Sequence, residues 1–106
     1  MMGRRLALLL AAACLMGAAP PSASWFTLGT SAGPVPSAER AQPANLLDAN
    51  GQLVLVDVGD CAVDQVAKAG QRAETIRTLF ISHLHFDHTG GLFALLGRRY
   101  QLIAPG

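Results

Sequence analysis

The residues of this chain that are best suited to chemistry lie in one short segment. Residues 82–91 read Ser-His-Leu-His-Phe-Asp-His-Thr-Gly-Gly and contain all three histidines of the 106-residue chain. Neutral imidazole rings and a carboxylate are ligands that Zn²⁺ and similar divalent ions bind at ~2.0–2.2 Å. The four side chains of His83, His85, Asp87 and His88 therefore predict a metal site. A set of solvated loop histidines is the alternative, and it fits a lone histidine better than this grouping.

A strand that runs into a turn is expected to present these ligands. Residues 78–82 are β-branched or apolar, which favours a strand, and the two alternating histidines beyond it should point the same way. Gly90 and Gly91 allow a sharp turn into a short apolar helix over residues 91–97. The metal site would then lie at the carboxyl end of a strand, where α/β sheets bind ligands.

The rest of the chain predicts further strands and one more helix. Asn50 and Gly51 tolerate the positive φ of a type I′ turn, so they are expected to join a β-hairpin. The other predicted elements are strands at 25–29, 45–49, 52–58 and 100–104, and a helix that Asp60 caps and Gly70 ends. This order predicts the α/β fold class, with a mixed sheet that the two helices leave half covered.

Composition divides the chain into a leader and one domain. Residues 1–24 contain two arginines, no acidic residue and an apolar run from Leu6 to Met16, followed by Gly17 and a Pro-Pro pair. This layout predicts a secretory signal peptide, because the run is shorter than the ~20 residues that span a bilayer. We therefore expect an exported protein, periplasmic or secreted, with its domain over residues 25–106. An uncleaved membrane anchor, a buried helix and lipid attachment at Cys14 are the alternatives.

Charge gives no evidence for an electrostatic partner. The net charge of +1 comes from the leader, because residues 25–106 hold six basic and seven acidic side chains. A dedicated nucleic-acid binder has a basic surplus that this chain lacks. No nucleic-acid partner and no stable membrane insertion after cleavage are therefore expected.

Three groups of residues carry a family resemblance over residues 25–106. The segment from His83 to His88, followed by Thr-Gly-Gly-Leu, resembles the metal-binding motif of the metallo-β-lactamase superfamily. Asp57-Val58-Gly59 resembles the Asp-x-Gly turn of the same superfamily. The sequence Leu-Gly-Thr-Ser-Ala-Gly at 28–33 and Lys-Ala-Gly at 68–70 resemble its ribonuclease Z and arylsulfatase-like branch. The resemblance implies the N-terminal half of an αββα fold.

The resemblance also implies a centre with two divalent ions. His83 and His85 would bind one ion, and Asp87 with His88 would bind the second. Zinc is the first expectation, with manganese or iron as alternatives. Asp87 would also act in catalysis by orienting the attacking hydroxide and handling its proton. Asp57 would orient a ligand through a hydrogen bond, and capping of the next turn is the competing role.

The remaining ligands of such a centre have no counterpart in this chain. No histidine follows His88 and no acidic residue follows Asp87, whereas the family uses two later histidines and a bridging aspartate. We therefore expect the N-terminal part of a longer protein, which alone binds metal weakly and turns over little substrate.

A metal-dependent hydrolase is the function that these features predict. The expected substrate is a small-molecule ester, either a phosphodiester or a sulfate ester. The same fold acting on a β-lactam, lactone or thioester is one alternative. A non-catalytic metal-binding module is the other.

Overall fold

The computed structural model describes residue 17 and residues 19–103, and for residue 103 it describes the backbone only. The elements in chain order are β1 (Ala23–Gly29), β2 (Ala44–Ala49), β3 (Gln52–Val56), α1 (Ala62–Lys68), a 3₁₀ turn (Ala73–Thr75), β4 (Thr78–Phe80), α2 (Phe86–Thr89) and α3 (Leu92–Ile103). None of the described helices is long and apolar enough to cross a membrane. Residues 1–16 and 18 of the predicted signal peptide, which include Cys14, lie outside the described residues.

The four strands form one mixed sheet in the order β1-β2-β3-β4. β1 with β2 and β2 with β3 are antiparallel pairs, whereas β3 and β4 are parallel. Asn50 and Gly51 have φ values of 53° and 83°, which suit the type I′ turn predicted between β2 and β3. The parallel pair places the carboxyl ends of β3 and β4 side by side, so the segments that follow them meet at one edge of the sheet.

The core lies between one face of the sheet and the helices. Leu46 and Leu55 are directly opposite each other on β2 and β3, and both are almost fully buried. Val66 of α1, Ile76 after the 3₁₀ turn and Leu95 of α3 are buried in the same cluster. Burying each such side chain stabilises the fold by ~1.5–3 kcal/mol. The helices are thereby fixed relative to the strands whose ends carry the candidate site.

The other face of the sheet is open among the described residues. Trp25 lies opposite Leu47 in the β1–β2 register, and Trp25 is 57% exposed. Phe80 of β4 is 60% exposed. Apolar residues on both faces are typical of a sheet covered on both sides, and the helices described here cover only one. The α/β class with a half-covered mixed sheet is therefore confirmed.

Three elements of the structure near the candidate site differ from the predictions. The strand expected at residues 100–104 is wrong, because α3 continues through Gly97 to Ile103. A glycine inside a helix costs only ~1 kcal/mol relative to alanine, and the leucines, arginines and glutamine around it favour helix. β4 ends at Phe80 rather than at residue 82, and the short helix α2 was not expected.

The predicted cap of α1 is also wrong. Asp60 does not cap this helix: the N-cap is Cys61, in a left-handed conformation without a side-chain hydrogen bond.

Candidate metal centre

The four predicted ligands lie at the sheet edge where β3 and β4 end. His83 and His85 are in the loop between β4 and α2, and Asp87 and His88 are in α2. The ring centroids of His83 and His85 are 4.6 Å apart, and those of His83 and His88 are 4.0 Å apart. The fold therefore brings all three histidines of the chain into one cluster, as their spacing predicts.

Asp57 joins this cluster from the end of β3. Its Oδ2 lies 2.7 Å from Nδ1 of His88, across 31 positions of sequence. The backbone of Asp57 has φ of 61°, a left-handed conformation that aspartate tolerates better than most residues. With Nδ1 of His88 bonded to the carboxylate, Nε2 is left available as a ligand, the usual arrangement of a carboxylate, a histidine and a metal. Both oxygens of Asp57 accept bonds from Ser82 or His88, so the carboxylate does not cap the next turn.

Ser82 is a member of the cluster that the sequence did not single out. Its backbone N–H donates to Oδ1 of Asp57 at 2.7 Å, and its hydroxyl donates to Oδ2 at 2.8 Å. The hydroxyl oxygen is also 3.0 Å from Nδ1 of His83. Because the carboxylate can only accept, the hydroxyl proton points to Asp57 and the oxygen accepts from Nδ1 of His83. Ser82 thereby leaves Nε2 of His83 available as a ligand, as Asp57 does for His88.

Backbone contacts hold the ligand loop against the end of β3. The N–H of Val58 donates to the carbonyl of His88 at 2.9 Å, and the N–H of Gly91 donates to the carbonyl of Val58 at 2.8 Å. A Cβ on Gly91 would lie 2.3 Å from the carbonyl oxygen of Gly59, so this approach requires glycine. The loop and the strand end are thus packed backbone to backbone.

The donor atoms of the cluster suit divalent metal ions in pairs. Nε2 of His88 and Oδ2 of Asp87 are 3.5 Å apart, close to the ~3.4 Å between two ligands of a tetrahedral ion at ~2.0–2.2 Å. Asp87 is 8% exposed, which removes its carboxylate from competing water. Among the described residues, no three His, Cys, Asp or Glu side chains are arranged to hold a single ion. Nε2 of His88 and Oδ2 of Asp87 are therefore the pair of donors whose separation suits a shared ion.

The environment of Asp57 favours its ionised form. Burial alone would raise the pKa of the carboxyl group. The hydrogen bonds from the Ser82 backbone, from His88 and from the Ser82 hydroxyl outweigh burial and lower the pKa from its ordinary value of 3.8. Asp57 is consequently a carboxylate at neutral pH and can accept a hydrogen bond from Nδ1–H of His88.

Removing the charge of Asp57 is expected to change how the free energy of unfolding depends on pH in the acid range. A depressed folded-state pKa stabilises the fold above pH 3.8, and this contribution is lost as pH falls through the lower folded value. Asp57→Asn should lower the free energy of unfolding by about 2 kcal/mol at pH 7. This difference from the wild type should shrink at pH 3, as urea unfolding at several pH values would measure. A difference that stays constant with pH would contradict the stabilising role of the ionised Asp57 carboxylate. Asp64→Asn, at an exposed site on α1, is the control.

Loss of the Ser82 hydroxyl is expected to weaken metal binding without removing a ligand. Ser82→Ala keeps the backbone bond to Asp57 but frees Nδ1 of His83, so zinc affinity should fall roughly tenfold. Ser82→Thr retains a hydroxyl and should restore most of the affinity. Competition against a chromophoric zinc chelator measures both variants. Equal affinity of Ser82→Ala and the wild type would show that the hydroxyl does not orient His83.

Comparison with known proteins agrees with the fold and the motif. The family model described as anti-Pycsar protein Apyc1 matches residues 24–102. Ribonuclease Z of Mycobacterium avium is 41% identical over 73 residues, which are 69% of this chain and 26% of that enzyme. The short form of human tRNase Z is 39% identical with a TM-score of 0.64, over 68% of this chain and 27% of that one. The chain spans about a quarter of the length of these relatives.

A further solved structure supports the fold alone. The metallo-β-lactamase-fold protein YhfI from Bacillus subtilis has a TM-score of 0.68 at 23% identity, over 76% of this chain and 32% of that one. The ribonuclease Z relatives, together with these structures, confirm the resemblance to the metallo-β-lactamase superfamily and the N-terminal half of its fold. The prediction that the chain belongs to a family of hydrolytic enzymes is confirmed by the same relatives.

The expectation of a small-molecule ester substrate and no nucleic acid is wrong. Several relatives are ribonucleases Z, and the human protein is a tRNase, so their names state RNA as what they act on. The expectation of no nucleic acid was based on the near-neutral charge of residues 25–106. Net charge governs long-range attraction and non-specific binding, whereas a substrate is selected by the groups around the reacting bond.

These findings agree on the family to which the chain belongs. The family model covers residues 24–102, which include the histidine cluster, and the relatives that are about 40% identical match about two thirds of the chain. The chain belongs to the Apyc1 family and, with its ribonuclease Z relatives, to the metallo-β-lactamase superfamily.

Proposed function

We propose that the protein is a metal-dependent phosphodiester hydrolase that acts on a nucleic acid or nucleotide. The observation that carries the proposal is the cluster in which Asp57 and Ser82 orient His88 and His83 beside the buried Asp87. Relatives that are about 40% identical over two thirds of this chain are named ribonuclease Z and tRNase Z, and both names describe cleavage of RNA.

Each member of the cluster has a role in the proposed reaction. His83 with His85 would hold one divalent ion, and Asp87 with His88 a second, with zinc as the first choice. Two such ions would polarise the phosphoryl oxygens and activate water. Asp57 accepts a hydrogen bond from Nδ1–H of His88, and the Ser82 hydroxyl oxygen accepts one from Nδ1–H of His83, so each ring keeps Nε2 for binding. The carboxylate of Asp87 would also orient the attacking water and accept its proton.

Hydrolysis of defined phosphodiesters tests this proposal. The full-length protein, loaded with zinc or manganese, should cleave a short RNA and bis(p-nitrophenyl) phosphate, and chelation should abolish both reactions. An aryl sulfate serves as the comparison ester, because sulfate esters belong to the same predicted branch. Failure to cleave either phosphodiester, with metal shown to be bound, would overturn the proposal. A higher rate on the aryl sulfate would assign the site to sulfate esters instead.

We further propose that the enzyme acts after export. The support is the order of basic residues, apolar run and small residues within residues 1–24. Fusion of residues 1–24 to an alkaline phosphatase that is active only outside the cytoplasm should give active reporter. Replacement of Leu8 and Leu9 with arginine in the apolar run should abolish that activity. An inactive wild-type fusion would contradict export.

A further inference from the structure

Phe86 is an exposed aromatic residue between two candidate metal ligands. It directly follows His85 and precedes Asp87, and it is 67% exposed. Its ring lies beside Gly90, where an added Cβ would be 3.4 Å from the ring carbon Cζ. The ring is thus next to the backbone at the end of α2, while much of it faces solvent. No step of the proposed hydrolysis uses this ring.

A shallow apolar cleft of about 300 Å³ lies on one side of Phe86. Phe93 and Leu96 of α3 form its far wall, and both are exposed. Small-molecule sites begin at ~300 Å³, so the cleft is large enough for one ring system but not for a long chain segment. Its walls suit a flat, largely apolar group that stacks on an aromatic ring.

Phe86 also lines a second, smaller cleft. This cleft, of about 90 Å³, is mostly apolar but includes the charged side chains of Arg40 and Asp60. Arg40 is exposed and forms no ion pair with any residue that the structure describes. A guanidinium group binds phosphate oxygens, and the Asp60 carboxylate can accept from a ribose hydroxyl. Phe86 therefore lines both an apolar cleft and a cleft whose charged groups suit a sugar and a phosphate.

We propose that Phe86 is the stacking platform for a nucleobase next to the scissile phosphate. The base would lie in the apolar cleft against the ring, with its sugar and flanking phosphate toward Arg40. This inference rests on the proposed phosphodiesterase function and names a specificity element for it. The position of Phe86 between His85 and Asp87 joins the base subsite directly to the candidate metal centre.

Binding of two phosphate ligands tests the platform without any turnover. Adenosine 5′-monophosphate and ribose 5-phosphate carry the same phosphate, so a contribution from bound zinc or from Arg40 is common to both. Stacking on an aromatic side chain is expected to make the nucleotide bind roughly tenfold or more tightly than the sugar phosphate. Isothermal titration calorimetry on the zinc-loaded full-length protein measures both affinities.

Matched variants assign the difference to Phe86. Phe86→Leu keeps an apolar side chain but removes the π face, and it should abolish most of the preference for the nucleotide. Phe86→Trp should retain the preference, because it restores an aromatic face. Tyr100→Leu is the control, since Tyr100 is 73% exposed on α3 and lies two turns beyond Phe93. Circular dichroism checks that each variant is folded.

Three outcomes would overturn the inference. Equal affinities for the two ligands in the wild type would show that no base is bound. A preference that survives in Phe86→Leu, or that Tyr100→Leu removes equally, would show that this ring is not the platform. Because these are binding measurements, an enzyme that fails to hydrolyse phosphodiesters can still show the preference. If the enzyme hydrolyses phosphodiesters but shows no preference for the nucleotide, the proposed function stands and only the base subsite is wrong.

Discussion

Asp87→Asn is expected to lower zinc affinity more than about a hundredfold, a larger loss than substitution of an orienting residue causes. Asp87 is the one carboxylate among the four predicted ligands, and its Oδ2 lies 3.5 Å from Nε2 of His88. Asparagine has the same size but no charge, so it should fit the buried position while binding the ion far more weakly. Equilibrium dialysis and chelator competition measure the affinity of the variant relative to the wild type.

The same substitution should reduce hydrolysis by more than about a thousandfold in the full-length enzyme, because the metal supplies several kcal/mol of transition-state stabilisation. Asp64→Asn, in the exposed first turn of α1, is the matched control and should leave both quantities at wild-type values. Undiminished zinc binding by Asp87→Asn would remove Asp87 from the set of ligands. Lost hydrolysis with retained zinc would limit its role to handling the proton.

Gly91→Ala is expected to destabilise the fold strongly by adding a single methyl group beside the candidate site. The new Cβ would lie 2.3 Å from the carbonyl oxygen of Gly59 and 3.1 Å from that of Val58. Both contacts are to backbone, which cannot move aside as a side chain can. The free energy of unfolding should fall by about 3 kcal/mol, and the Tm by roughly 10–20 °C. Thermal unfolding followed by circular dichroism measures the change.

Gly97→Ala provides the control for this substitution. Gly97 is in the middle of α3, and a Cβ there would meet no heavy atom within 4 Å. Alanine should stabilise this helix by about 0.5–1 kcal/mol. Opposite signs for the two variants would confirm that the close backbone approach, rather than loss of glycine itself, determines the effect. A small effect at Gly91 would show that the ligand loop can separate from β3.

Local patterns in the sequence predicted the parts of this fold that local interactions determine. The β2–β3 hairpin formed as expected because Asn50 and Gly51 accept positive φ, and α1 formed where apolar residues recur at helical spacing. The end of α3 was missed, because residues 100–103 are apolar enough for either a strand or a helix. A strand there needs a partner within the sheet, whereas a helix satisfies its own backbone.

By itself the sequence determined which donor atoms are available and that they are close together. His83, His85, Asp87 and His88 lie within six positions, so any turn at this point groups them. Only the tertiary structure decided how they are oriented. Asp57 reaches His88 across 31 positions, and Ser82 reaches Asp57 across 25. These contacts exist because β3 and β4 pair in parallel and end at one edge, a long-range pairing that no local spacing specifies.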